Sequence, residues 1–514
     1  MPPRVLVLAP RALLLLGLAL PARAQLITVK TLPIAEGDQF RIFPSANVGM
    51  AGVSIALADS TLDPFVNPAK GMRSLRGASK ALFSGAPTFY SLSDDAGGGQ
   101  TIPLSALARR GNSFGAVAVA FQEIDRIDQV QSFPVPLFDA VGQPIPIGTS
   151  RPSRQNGYAF ASFGHELPSR GLTFAASALV SHLNDIDGTE LLYAGSQDIR
   201  QRGGTMNLRL GALKEWTGGA TFEALVLHDR FDMRHDVTWA DPIWDPNTRG
   251  VQFRARTDHN VDATNTWGLH LNYSRPLADS GWRVGATATT NLMSHPHLPE
   301  YRIEQVRVIP WDPGHTAAYN LGVGVSKTTR MTTLGLDAVY EPIRTHTWGE
   351  LPAETQGPDG SLLPAGSKTT ENWFRFSNAI FRAGVSQELP IDTTQMRLRL
   401  QLGAALHSIG YSLRQFDHLA SSTRHAREGW TEWSKTWGLS MYVTGVELRY
   451  VGLHSTGTGR PGIVSDGIVS PTADALSSSS IGGGRNILSA PNGPLTLTGV
   501  TTTTHQISVS VPVR

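Results

Sequence analysis

Along much of the chain, apolar and polar residues alternate one by one. In "MRLRLQLGAAL", Leu398, Leu400 and Leu402 alternate with Arg397, Arg399 and Gln401. A β-strand sends successive side chains to opposite faces, so such a run has one leucine face and one basic, polar face. "TMNLRLGALKEW" sets Met206, Leu208, Leu210 and Ala212 against Asn207, Arg209 and Gly211. "AYNLGVGVS" sets Tyr319, Leu321, Val323 and Val325 against Asn320, Gly322, Gly324 and Ser326. "TWGLHLNYS" from Thr266 and "HQISVSVPVR" from His505 repeat the pattern.

The runs join in hairpins through short Gly-, Pro- and Asp-rich turns, near Pro168, Gly218, Asp279, Thr328, Pro390 and Gly445, residues that suit tight turns for steric reasons. Between hairpins the polar segments are longer: 123–154, 232–263, 293–316, 344–371, 408–433 and 455–501. A soluble sandwich has no reason to keep short turns at one end and long loops at the other. A transmembrane barrel does, with short periplasmic turns, long outer loops, apolar residues outward and polar residues inward. The pattern predicts an all-β fold, a transmembrane antiparallel β-barrel of about 14–16 strands with both termini periplasmic. Starts fall near Ala81, Thr101, Ser113, Gly157, Leu172, Thr205, Thr221 and Thr264, then near Trp282, Ala317, Met331, Trp373, Met396, Ser434, Val446 and His505. Trp267, Trp373 and Trp437 near the outer strand ends, with Trp216 and Trp282 near the turns, suggest two aromatic girdles.

The first 24 residues, with early arginines, an apolar run from Ala12 to Leu20 and the small-residue site "ARA", read as a secretory signal peptide. Export of a chain without a long apolar helix leaves a closed barrel as the way into a bilayer. The localisation expected is the bacterial outer membrane, with its lipid as a partner. The absence of cysteine excludes disulfides and thiolate metal sites, and a net charge of +2 over 514 residues gives no reason to expect nucleic acid.

Residues 25–79 do not alternate. They hold "SANVGMAGVSIALADSTLDPFVNPAKGM", in which Gly49 and Gly52 permit close backbone approach and Asp63-Pro64 and Asn67-Pro68 punctuate turns. Placed before a barrel at 80–514, such a segment could fill the lumen as a plug. The run "GMAGVSIALAD", with Gly49, Gly52 and Asp59, followed by Asn67, Pro68, Ala69 and the strand "ALFSGAPTFY", resembles the opening of the long-chain fatty acid transporter family (FadL type). It is also similar to the barrel subunits that shuttle cargo in type IX secretion. The resemblance covers about the first sixty mature residues. It implies a barrel, usually of fourteen strands, with an N-terminal hatch that the Asn67-Pro68-Ala69 turn fixes to the wall. It also implies that hydrophobic molecules pass between hatch and wall and leave sideways into the membrane.

Two functions follow as expectations. One is uptake of hydrophobic small molecules, fatty-acid-like or otherwise apolar, by diffusion past the hatch, with no cofactor and no bond chemistry. The other is a non-transporting barrel that binds a protein partner at its outer loops. Arg209, Arg397, Arg399, Glu447 and Arg449 fall on the lumen face. They could hold a carboxylate headgroup or brace the plug through ion pairs, and bracing is the favoured reading. No catalytic set is expected. His407 and His454 lie beside serines that point to the opposite face, and no nucleophile elbow occurs. His295 and His297 lack a third ligand, so no metal site is expected. Trp239, Trp244, Trp311, Trp348, Trp430 and Trp433 are expected in or beside the long loops.

Overall fold

The alternation closes a wall. A computed structural model of the chain describes residues 42–75, 80–92, 98–125, 154–186, 198–245, 250–278, 280–295, 314–351, 353–357, 360–389, 396–443, 445–460 and 498–513. Among them, sixteen antiparallel strands form the barrel. Strand β1 comes in two segments, Ala81–Gly85 and Thr88–Leu92, interrupted at Ala86 and Pro87. There follow β2 (Gly98–Arg110), β3 (Ser113–Asp125), β4 (Arg154–Leu167), β5 (Leu172–Leu183), β6 (Asp198–Glu215), β7 (Thr221–Asp245) and β8 (Gly250–Pro276). The second half is β9 (Trp282–His295), β10 (Gly314–Thr328), β11 (Thr332–Glu350), β12 (Lys368–Leu389), β13 (Met396–Asp417), β14 (Ser422–Val443), β15 (Val446–Arg460) and β16 (Thr498–Val513). Each strand pairs with its neighbours in the chain. Strand β16 returns to β1, with Val513 opposite Ala81 and Gln506 opposite Thr88, so the barrel sheet closes on itself.

The faces fall as the alternation predicts. Leu402, Val323 and Leu210 are each more than 60% exposed on the outside, while Gln401 and Asn207 are buried on the inside. A leucine face turned away from the core is what a lipid solvent requires. Trp216 and Trp282 stand exposed at the short-turn end, with Lys214 and Lys327 over their rings. Trp437 departs from the expected girdle. It sits well inside the apolar band, where its ring covers Gly452 on the adjacent strand.

The strands at the long-loop end reach further than the hydrophobic pattern indicated. Segments 232–263, 344–371 and 408–433, read as loops, are largely strand: β7 and β8 pair up to Asp245 and Gly250, β11 runs to Glu350, and β13 and β14 pair up to Asp417 and Ser422. Beyond the bilayer both faces meet water or other protein, so no apolar alternation is needed. Polar cross-strand pairs such as Thr238 with Thr257 and Asp236 with His259 suffice there. Trp239, Trp244, Trp348, Trp430 and Trp433 therefore lie on strands. The signal peptide, residues 25–41 and 76–79, His297 and Trp311 fall outside the described residues.

Candidate functional site

Residues 42–75 lie inside the barrel, and the wall is shaped to receive them. Between Gly49 and Ala56 the chain runs around the inner wall across six strands. It meets Gly438 on β14 and Gly403 on β13 through Gly49, Met50 and Ala51. It then meets Gly384 on β12 through Met50, Gly335 on β11 through Val53, and Gly322, Gly324 and Gly285 on β10 and β9 through Ile55 and Ala56. A Cβ added at Gly384 would lie 2.5 Å from Met50 Cβ and O, and one at Gly335 would lie 2.6 Å from Val53 Cγ1. Glycine is what lets this backbone sit on the wall. The tight turn at Ala51 and Gly52 takes positive φ, 59° and 72°.

Wall side chains satisfy the backbone of this belt. Thr436 Oγ1 accepts from Ala51 N at 2.9 Å and donates to Gly49 O at 3.0 Å. Asp337 accepts from Ser54 N and Ile55 N, Ser326 donates to Ala56 O, and Gln401 donates to Ala46 O. Asp59 organises the next turn by accepting from Ser45 Oγ and from the backbone N–H groups of Ala46, Asn47, Thr61 and Leu62.

The Asn67-Pro68-Ala69 turn docks on β6 and β7. Asn67 Oδ1 caps Ala69 N at 3.1 Å and abuts Gly211, and its amide reaches Glu223 at 3.4 Å. Next to it, buried Lys70 bridges Asp63 at 2.9 Å and Glu223 at 3.0 Å. Burial, opposed by Lys70, pushes the Asp63 carboxyl up to about 6. Burial alone would lower the Lys70 ammonium, but Asp63 and Glu223 outweigh it and hold it above its ordinary value. Arg73 pairs with Glu215 at 2.9 Å.

Four of the five lumen charges named from the sequence, Arg209, Arg399, Glu447 and Arg449, are engaged by the wall or by this segment. Arg209 donates to the carbonyls of Phe65 and Val66 at 3.1 and 2.9 Å and to Asn207. Arg449 bonds Glu447, Ser440 and Thr61, and Arg399 pairs with Glu388. Arg397 stacks over Tyr442. Arg209 and Arg449 thus meet the plugging segment directly, while Arg397 and Arg399 are placed apart from it.

One feature was missed in the sequence. The inner face of β2 to β5, joined by Met233 on β7, is apolar where it meets Ile42, Phe43, Phe65, Met72 and Leu75. Phe43 stacks on Phe65 with centroids 4.2 Å apart, and Phe160 meets both edge-on. Phe114, Leu107 and Leu179 continue the cluster, and Ile42, Tyr158, Leu183, Ile186 and Met233 extend it toward the long-loop end. A second inward cluster, including Phe374, Phe376 and Tyr411, lies high on the opposite wall. The signal was present in "SFGAVAVAF": Phe114, Ala116 and Ala118 alternate with Val117 and Val119, so both faces are apolar. A strand apolar on both faces is covered on both. On the outer wall, Ser113 and His165 face each other across β3 and β4 at 3.0 Å, a same-face pair that reading along single strands did not reveal. The bond uses His165 Nδ1, and among the described residues no acid or amide orients the ring.

No protein-family model matches the sequence, and no curated protein matches it. Among solved structures the chain is similar to a FadL homologue of Pseudomonas aeruginosa, at 10% identity and a TM-score of 0.43, over 92% of this chain and 99% of that one. It is also similar to the Pseudomonas putida toluene transporter TodX (10% identity, TM-score 0.38, 96% and 99%). The third is the Ralstonia pickettii toluene transporter TbuX (10% identity, TM-score 0.38, 92% and 100%). By its own strand order, register and outward apolar face, the chain is a transmembrane β-barrel with an N-terminal segment folded into its lumen.

Proposed function

We propose that the barrel admits hydrophobic small molecules from its long-loop end and passes them by diffusion along the apolar inner face of β2 to β5, beside the hatch. The short turns and both termini then face the periplasm. One observation carries the reading: the inner wall is divided. Strands β9 to β14 grip the hatch with glycines and polar anchors. Strands β2 to β5 offer an apolar tract that runs from Met233 on β7 and Ile186 down to Phe160, against Phe65 of the hatch. A water-filled pore has no use for such a tract, and a ligand path for apolar compounds does. The Phe43–Phe65 stack closes the tract at hatch level. Passage requires these rings to part and involves no bond making. Selectivity comes from the width and apolarity of the tract.

The test is uptake of a radiolabelled fatty acid and a radiolabelled aromatic hydrocarbon into vesicles carrying the purified chain. The intact chain is expected to accumulate at least one of the two above empty vesicles. Ala118→Trp with Leu179→Trp, which fills the tract, is expected to slow uptake at least about tenfold. Uptake equal to empty vesicles, or unchanged by the double substitution, would overturn the reading and leave protein binding at the outer loops as the alternative.

A further inference from the structure

The outer wall carries a second site, made by strands β11 to β14. Arg344 on β11 lies directly opposite Arg375 on β12; Ser412 on β13 is next in the same transverse row, and Arg427 on β14 completes it. All three arginines are exposed. They share the outward parity of Tyr340, Phe381 and Trp433. One row further out, Arg414 lies over Trp373 at 5.1 Å. Like charges directly opposite one another destabilise a strand pair. Yet among the described residues Arg344, Arg375 and Arg427 have no acidic partner.

The height of the row narrows the choice of anion. On β11 the outward positions Leu334, Leu336 and Tyr340 are apolar or aromatic, and Arg344 comes two outward positions beyond Tyr340. The arginines therefore stand where an apolar band about 25 Å tall gives way to headgroups. Directly below, on the same strands, lies a groove of about 530 Å³ in the lipid-facing wall. Its floor is built by Ala338 and Ala383, and its sides by Leu336, Phe381, Leu406 and Trp433. Phe381 is six residues down the strand from Arg375, about 20 Å at the rise of an extended chain. That is the reach of a long acyl chain below its headgroup.

We infer that Arg344, Arg375 and Arg427, with the groove beneath them, bind a phosphorylated, multiply acylated lipid of the outer leaflet, of the diphosphoryl lipid A class. Guanidinium groups hold phosphate through paired N–H donors, and a row of three spans more than one phosphate. An acyl chain enters the alanine-floored groove. The site lies outside the barrel and goes beyond the uptake reading, sharing with it only the orientation of long loops outward.

The test uses the full purified chain in a neutral detergent, titrated by native mass spectrometry. The probes are diphosphorylated lipid A, its dephosphorylated form, phosphatidylglycerol and inorganic phosphate. One diphosphorylated lipid A is expected to be retained, with the dephosphorylated form and phosphatidylglycerol at least about tenfold weaker and inorganic phosphate failing to compete. R344Q/R375Q/R427Q should weaken lipid A at least about tenfold. A383W, which fills the groove and leaves the arginines, should weaken it as well. Heat-dependent gel migration reports that each variant is a folded barrel. Equal binding by the triple variant would overturn the proposal. So would preference for phosphatidylglycerol, which would put the row in the other leaflet, or displacement by free phosphate, which would leave a phosphate site without a lipid.

Discussion

The glycine-lined wall makes the seating of the hatch testable by adding two methyl groups. In Gly384→Ala with Gly403→Ala, one new Cβ would lie 2.5 Å from Met50 Cβ and O, and the other 2.5 Å from Met50 C and 2.6 Å from Thr436 Oγ1. Ordinary contact begins near 3.4 Å, so the belt must move off the wall by close to an ångström. It cannot slide freely, because Thr436 holds Ala51 N and Gly49 O at 2.9 and 3.0 Å. Overpacking costs about 1–3 kcal/mol per site, and each of the two hydrogen bonds given up costs about 0.5–1.5 kcal/mol, so the pair should cost about 3–9 kcal/mol. The opposing term is the burial of Met50, Val53 and Ile55, all under 7% exposed, at about 1.5–3 kcal/mol each. The two are comparable. The variant should therefore release the segment often, raising its open population by roughly a hundredfold or more. Planar-bilayer recordings should show frequent ion-conducting openings, and limited proteolysis should cut near Gly49–Ala56. Gly157→Ala, where nothing lies within 4 Å of the new Cβ, is the control. A double variant as silent and as protease-resistant as the parent would refute the reasoning.

Other substitutions probe the same architecture. Lys70→Met leaves Asp63 and Glu223 buried without their shared cation and should destabilise the folded chain by about 3–5 kcal/mol, read from denaturant midpoints in detergent. Because the folded Asp63 carboxyl is raised from 3.8 to about 6, the folded state binds that proton more tightly. Its contribution favours folding below 3.8 and is lost as pH rises through about 6, a swing of about 3 kcal/mol. Asp63→Asn should remove this slope from unfolding curves measured between pH 4 and 8; an unchanged slope would assign it to other groups. Leu402→Arg, on the lipid face, should cost about 2–4 kcal/mol in barrel stability in bilayers. Loss no larger than for a loop substitution would place that face away from lipid.

Much of the wall could be read from the sequence because lipid imposes a strict rule on it. Leu398, Leu400 and Leu402 alternate with Arg397, Arg399 and Gln401 for the same reason that the strand exists at all. Of the two glycines read as close-approach positions, Gly49 does meet the wall, whereas Gly52 has open space beside it and instead supplies a positive φ; Asp59 stands out only through the family resemblance, and its turn becomes visible in the structure. The wall glycines that receive the hatch, from Gly285 to Gly438, are spread over six strands, and nothing local to any one of them shows that they form a row. The arginines of the outer row share this property, since Arg344, Arg375 and Arg427 meet only through strand register. The strand ends beyond the membrane were misread because water on both faces removes the alternation that marks a strand. The paired Phe43 and Phe65 come from the non-alternating segment, so their contact with Phe160 could not be derived from period alone.

We propose a barrel that its own N-terminal segment seals to ions and that admits apolar solutes along one wall. Parallel conductance and uptake measurements on the intact chain and on a chain lacking residues 26–79 test it most directly. The account predicts uptake of a hydrophobic probe with no ion current for the intact chain, and unselective current after the deletion. An intact chain that moves nothing, together with a deleted chain that stays closed, would contradict it.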